Sequence, residues 1–210
     1  MGATDTSVTN YSTPDSLIQA LRTTNENGQL DWVLQNFDES TTITQTEIDE
    51  FKRLSVLQSY EILDTPKEID FDSITQEAKE YFGVPIAVVS LVDKGRQWFK
   101  SIQGLDAQET PRSCAFCAHV VQRKDGPSSP VLVVPDATKD HRFQNNPLVV
   151  GGPEIRFYAG APLLSPEGPK LGTICIIDTR PHPEGLTDQQ KQRLQAFASE
   201  AVYYMIARLL

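Results

Sequence analysis

Cysteine is scarce: Cys114, Cys117 and Cys175 are the only three in a chain of 210 residues. Three thiols cannot staple a small secreted fold, so they point to a reducing compartment. Long apolar runs are missing too. No stretch approaches the roughly 20 residues that span a bilayer, and no secretory core follows Met1. The expected setting is therefore the cytoplasm or another reducing intracellular compartment, with no membrane span. An excess of basic charge is the third absence, since 19 Lys and Arg stand against 28 Asp and Glu. Without a basic stripe the chain is poorly suited to a phosphate backbone, which argues against nucleic acid as its principal ligand.

The acidic excess is local. Residues 1–50 hold nine acidic side chains and one basic, Arg22, leaving 19 acidic and 18 basic in the near-neutral remainder. This divides the chain into an acidic, partly disordered N-terminal arm, 1–45, and a body, 46–210. Within the arm, 14–22 and 30–37 read as short helices whose Leu17, Leu21, Trp32 and Phe37 are too apolar for a free tail, so the arm is expected to dock. Met1-Gly2-Ala-Thr-Asp-Thr6 meets the loose myristoylation pattern. Asp5 and the lack of a polybasic neighbour speak against an anchor there.

In the body, Thr46 can cap a helix carrying Ile48, Phe51, Leu54 and Leu57 at helical spacing. A second helix begins at Asp70 or Asp72, buries Phe71, Ile74, Ala78 and Tyr81 or Phe82, and stops at Gly83. Ile86–Val92 and Arg96–Ile102 read as a hairpin about Gly95. In its second strand Gln97, Phe99 and Ser101 alternate with Arg96, Trp98 and Lys100, so one face there is wetter or lines an amphipathic space. A short helix near 111–122, a strand at 131–134 and a long loop at 137–154 follow, and loops of that length are usually functional. Arg156–Leu164 and Leu171–Ile177 form a second hairpin around the turn Ser165-Pro-Glu-Gly168. Consecutive apolar residues Ile174 to Ile177 mark its second strand as central. Thr187 and Gln190 make a capping box for a last helix with Leu194, Phe197, Ala201, Met205 and Leu209 on one side.

This order predicts an α+β fold, an antiparallel central sheet of five to six strands flanked by helices. It also resembles a GAF domain from about Arg53 onward. The carriers are Ile62-Leu-Asp-Thr-Pro66, Phe82-Gly-Val-Pro-Ile-Ala-Val-Val-Ser-Leu-Val-Asp93, Arg96-Gln-Trp-Phe-Lys-Ser101 and Phe116-Cys-Ala-His119. Further carriers are Val133-Val-Pro-Asp-Ala137, Arg142-Phe-Gln-Asn-Asn-Pro-Leu-Val149, Arg156-Phe-Tyr-Ala-Gly-Ala-Pro-Leu163 and Leu171-Gly-Thr-Ile-Cys-Ile-Ile-Asp178. They look like the subgroup that precedes histidine kinase or diguanylate cyclase domains in bacterial sensors. No such output domain follows in this chain, so the expected module acts through another chain.

The resemblance implies a small-molecule pocket between the sheet and residues 111–150. Its expected lining is Phe116, Cys117, His119, Asp136, Arg142 and Phe143, opposed by Trp98 and by Phe157 or Tyr158. The alternative is a collapsed cavity with these residues as core. Asn36-Phe-Asp-Glu39 only echoes the cyclic-nucleotide signature, lying before the domain and lacking its spacing. Cys117 is separated from His119 by Ala118, unlike the bilin-attaching pattern, so no cofactor is assigned.

Cys114-x-x-Cys117 raises a redox or a metal reading, the latter with His119 or Cys175. Set against both is burial as small apolar residues, and no catalytic or metal residues are assigned. The chain is thus read as a non-catalytic sensor or binding module. Its alternatives are a structural subunit with an empty pocket and a GAF-fold thiol enzyme of the free methionine-R-sulfoxide reductase type. A protein partner or a homodimer through the terminal helices is expected.

Overall fold

A computed structural model describes residues 45–123 and 130–210. The helices expected at 14–22 and 30–37 and the 124–129 loop lie outside the described residues; Thr46, expected as a cap, lies within the helix Gln45–Ser59 instead of capping it. The chain divides into two units, Met1–Phe51 and Lys52–Leu210. Of the first, only the opening of helix α1 (Gln45–Ser59) is described; the second carries everything that follows.

Alternating β-branched segments build one antiparallel sheet from β1 (Ile86–Val92), β2 (Arg96–Gln103), β3 (Glu109–Pro111), β4 (Leu132–Val134), β5 (Phe157–Leu164) and β6 (Lys170–Asp178). Their order is β3-β2-β1-β6-β5-β4. All seven residues of β1 and all nine of β6 are buried, as central strands covered on both faces must be. At the β5–β6 turn Gly168 takes φ 105°, a backbone open to glycine at little cost.

The two faces differ in cover. Against one lie α2 (Ile69–Phe82) and α5 (Asp188–Ala207), with Phe71, Ile74, Phe197 and Met205 packed on Val89, Ala159, Ile174 and Ile176. The other carries α3 (Phe116–Gln122), the single turn α4 (Pro147–Val150) and the loops joining them. There Val120, Phe143 and Val149 pack on Val88, Cys175 and Ile177. Each fully buried large side chain contributes roughly 1.5–3 kcal/mol. The capping box of α5 forms as expected, with the Gln190 amide donating to Thr187 Oγ1 at 3.2 Å. Tyr81 and Leu209 face outward, 48% and 51% exposed, so the buried stripes of α2 and α5 are narrower than their apolar content suggests.

Helix α2 starts earlier than Asp70. Its N-cap is Glu68, which makes no capping hydrogen bond. That carboxylate is engaged elsewhere: Lys100 Nζ donates to it at 2.6 Å and Arg208 Nε at 2.8 Å. The Lys100 ammonium also donates to Thr65 Oγ1 at 2.8 Å and to the Pro66 carbonyl at 2.7 Å.

Lys100 faces inward on the side it shares with Trp98, and β2 is bulged at this position. Val89 pairs with Ser101 and Ser90 with Phe99, leaving Lys100 as an extra residue between them. The bulge breaks the expected alternation. Ser101 is carried to the α2 side, where it meets Thr75 at 2.7 Å and donates to Asp72 at 2.5 Å.

Burial works against ionisation of Glu68, yet Lys100 and Arg208 outweigh it and hold its pKa below the usual carboxylate value. A depressed carboxylate contributes stability that is present above its unfolded pKa of about 4.3 and lost as pH falls through the folded value. Lys100→Met should therefore cost about 2–4 kcal/mol at neutral pH, because Thr65 and Pro66 lose their donor. It should also flatten the acid limb of a pH-dependent melt; an unchanged acid limb would show that the tie contributes nothing.

Candidate functional site

Opposite the helices, the sheet and its loops enclose a cavity of about 410 Å³. Its floor is sheet: Val88 from β1, Gln97, Phe99 and Ile102 from β2, Tyr158 from β5 and Ile177 from β6. The bulge at Lys100 puts Ile102, rather than Ser101, on this side. One wall comes from Phe116 and Cys117 at the start of α3, the other from Leu105, Asp106, Ala107 and Thr110 around β3. Leu148, Pro153 and Ile155 form the roof.

Local chemistry fixes that roof. Asn146 caps α4 by accepting from the Leu148 amide at 2.9 Å and donates through Nδ2 to the Cys114 carbonyl at 2.9 Å. The Ile155 amide then closes on the Leu148 carbonyl at 2.8 Å, and Arg156 Nη1 on the Val149 carbonyl at 2.9 Å. Four hydrogen bonds thus hold the single turn α4 and its flanking loops over the sheet.

The residues expected from sequence separate into three groups. Phe116, Cys117 and Tyr158 line the cavity, and Phe143 stacks behind Phe116 with ring centroids 4.0 Å apart. His119, on the outer side of α3, and Asp136 and Arg142, in the loops, lie outside the lining. His119 is exposed and meets Phe143 edge-on at 4.7 Å. Asp136 accepts from the Thr138 hydroxyl at 2.6 Å, a bond that holds its carboxyl below the usual range against the opposing effect of burial. Arg142 forms a fork with Asp140, at 2.9 Å and 2.5 Å, above the Phe143 ring.

Trp98 and Phe157 are not opposite Phe116 at all. Strand periodicity turns both to the helix-covered face, where Phe157 stacks on His182 at 4.0 Å.

Sequence reasoning passed over the cavity's two orphan oxygens. Gln97 Oε1 and Thr110 Oγ1 are buried without a hydrogen-bond partner, and the two residues face each other across the β2–β3 ladder. The signal available was the wetter face expected of β2, which names Gln97 but not its neighbour.

Nor do Cys114 and Cys117 form a pair. A 3-10 turn over Arg112–Cys114 ends before α3 begins, and Cys114 Sγ donates to the Pro111 carbonyl at 3.2 Å. Cys117 reaches Cys175 instead, Sγ to Sγ 3.8 Å. Thr173 Oγ1 donates to Cys117 Sγ at 2.9 Å and Tyr158 Oη at 3.3 Å. Burial pushes the Tyr158 hydroxyl well above its ordinary pKa, so it stays a donor. Among the described residues, no three His, Cys, Asp or Glu side chains are grouped to hold a metal ion.

A single antiparallel sheet with long helices on one face and a roofed cavity on the other defines an α+β domain of the GAF-like class. The chain belongs to the GAF domain family, whose profile matches residues 69–203. Over 150 residues it is 41% identical to a cyclic di-GMP phosphodiesterase of Pseudomonas aeruginosa, a match covering 71% of this chain and 24% of that protein. The chain thus spans about a quarter of that relative's length.

Among solved structures, the GAF domain of an Acinetobacter phosphoenolpyruvate-protein phosphotransferase superimposes with TM-score 0.53 at 15% identity, covering 79% of this chain and 95% of that one. A free methionine-R-sulfoxide reductase from Thermoplasma acidophilum gives 0.51 at 14%, covering 75% and 94%. At such identities the likeness is one of fold.

Gly160 is needed for the cavity floor. A Cβ there would stand 2.3 Å from the Tyr158 hydroxyl, which lies over this position on its way to Cys117. Gly160→Ala should expel that hydroxyl and cost about 1–3 kcal/mol in a denaturant melt. A melt identical to the parent's would show that the ring is not held there.

Proposed function

We propose that this GAF domain is a non-catalytic sensor whose cavity takes a small, largely apolar molecule carrying at least one hydrogen-bond donor. The supporting observation is the pair of orphan oxygens, Gln97 Oε1 and Thr110 Oγ1, set in an apolar wall. A buried acceptor left unmade costs about 1–3 kcal/mol, so a ligand N–H or O–H placed between them recovers what the empty site forgoes. Phe116 and Tyr158 supply flat apolar contact, with Phe143 bracing Phe116 from behind. His119, Asp136 and Arg142 are assigned to shaping the outer loop, and Trp98 and Phe157 to the core beneath the sheet.

Among the described residues the lining contains no Lys, Arg or His, and the exposed carboxylate of Asp106 stands in it. A cyclic dinucleotide, with two phosphates and no cation to meet them, is a poor fit. The relationship to a cyclic di-GMP phosphodiesterase therefore supports a sensory role alongside such chemistry rather than binding of that nucleotide in this cavity. Signal output is proposed to pass to a protein partner or a second copy through the terminal helices, where Tyr203 is 65% exposed.

Native mass spectrometry against the denatured mass tests the proposal. A co-purified neutral or cationic molecule of a few hundred daltons is the expected finding, and a melting temperature raised by cyclic di-GMP would overturn it. Gln97→Met separates recognition from folding. It should raise the melting temperature of the ligand-free protein by about 2–4 °C, having removed a buried orphan, while weakening the ligand about tenfold or more. Tighter binding by this variant would remove Gln97 from the site.

A further inference from the structure

The cavity's sulfur cluster serves no purpose in the binding role just described. Cys117 is 1% exposed and lines the cavity, while Cys175 is fully buried behind it on β6. Their sulfurs are 3.8 Å apart, and a disulfide requires closure to about 2.05 Å, a small movement for side chains on adjacent elements. Thr173 and Tyr158 both aim their hydroxyls at Cys117 Sγ, and Ser90 Oγ stands 3.2 Å behind Thr173 Oγ1 to extend the chain. Convergent donors on one sulfur favour its anion, the nucleophilic form.

We propose that Cys117 and Cys175 form a peroxide-responsive dithiol in which Cys117, reached through the cavity, is attacked first and Cys175 resolves it. The Cys117 thiolate displaces hydroxide from the O–O bond of hydrogen peroxide or a small organic hydroperoxide, becoming a sulfenic acid; the hydroxide, or alkoxide, takes up a proton. The Cys175 sulfur then attacks the sulfenic sulfur and expels water, forming the disulfide. In total two thiols lose two electrons and two protons, and hydrogen peroxide becomes two waters.

The asymmetry between the sulfurs supports these roles. Burial opposes the Cys117 anion, but the donors from Cys175, Ser90, Thr173 and Tyr158 outweigh it and draw its pKa below the ordinary thiol value. Cys175 is pushed well above that value, first by its contact with Cys117 and then by burial. Oxidation would tie α3 to β6 across the cavity floor and withdraw the sulfur that Tyr158 and Thr173 address. The site does not depend on which ligand the cavity prefers.

The experiment treats the reduced full chain with limiting hydrogen peroxide, then alkylates under denaturing conditions and maps peptides. The expected result is a mass loss of about 2 Da, a Cys117–Cys175 linked peptide and a free Cys114, with Cys117 consumed about tenfold faster than Cys114. Cys175→Ser should halt the reaction at a Cys117 sulfenic acid trapped by dimedone. The unmodified chain supplies the linkage result even if that variant folds poorly. Oxidation of Cys114 ahead of Cys117, or Cys117 passing to sulfinic acid while Cys175 stays free, would overturn the proposal.

Discussion

A single ammonium group organises the underside of this sheet. Lys100 is buried beneath β2, and burial depresses its pKa while Glu68 opposes that effect. Its hydrogen bonds gather the Thr65–Glu68 segment, and through Glu68 they reach Arg208 just beyond α5. A charge taken out of water must be met on every side, so once Lys100 turns inward the entry to α2 and the exit from α5 are drawn to it. The bulge at this position resets which of the following residues of β2 face the cavity. One inserted residue therefore governs both the base of the fold and the floor of the site.

The cavity follows from the contrast between the two faces. Long helices with continuous apolar stripes can close on a sheet face, as α2 and α5 do. A seven-residue helix and a one-turn helix joined by loops cannot cover the other face completely. The loops are tied down by backbone, Asn146 and Arg156 hydrogen bonds and by the packing of Phe143 and Val149, yet space remains beneath them. The aromatic series Phe143, Phe116 and Tyr158, with centroids 4.0 Å and 5.1 Å apart, keeps that space from collapsing on one side.

Much of this was legible in the residues. The β5–β6 hairpin, its glycine turn, the central position of β6 and the capping box of α5 follow from patterns that depend on near neighbours. Phe116, Cys117 and Tyr158 were recoverable because family resemblance orders the elements and alternation assigns faces. Trp98 and Phe157 were misplaced for want of one parity: each lies one residue from a cavity-lining neighbour, Gln97 or Phe99 and Tyr158 respectively. The bulge, the meeting of Gln97 with Thr110, and the approach of Cys117 to Cys175 rather than Cys114 are long-range facts. No local spacing encodes which strand lies beside which, and a bulge reverses parity without leaving a mark in composition.

The sheet also acts as a partition. Most of the large apolar packing that holds α2 and α5 lies below it, while the residues lining the cavity lie above, separated by a backbone layer that neither set shares. Substitutions on opposite sides should combine almost independently, since side chains without common neighbours rarely influence one another's energetics. Such a design lets descendants change what the chamber admits while inheriting an intact foundation, and it helps explain how one scaffold comes to serve many different sensory tasks.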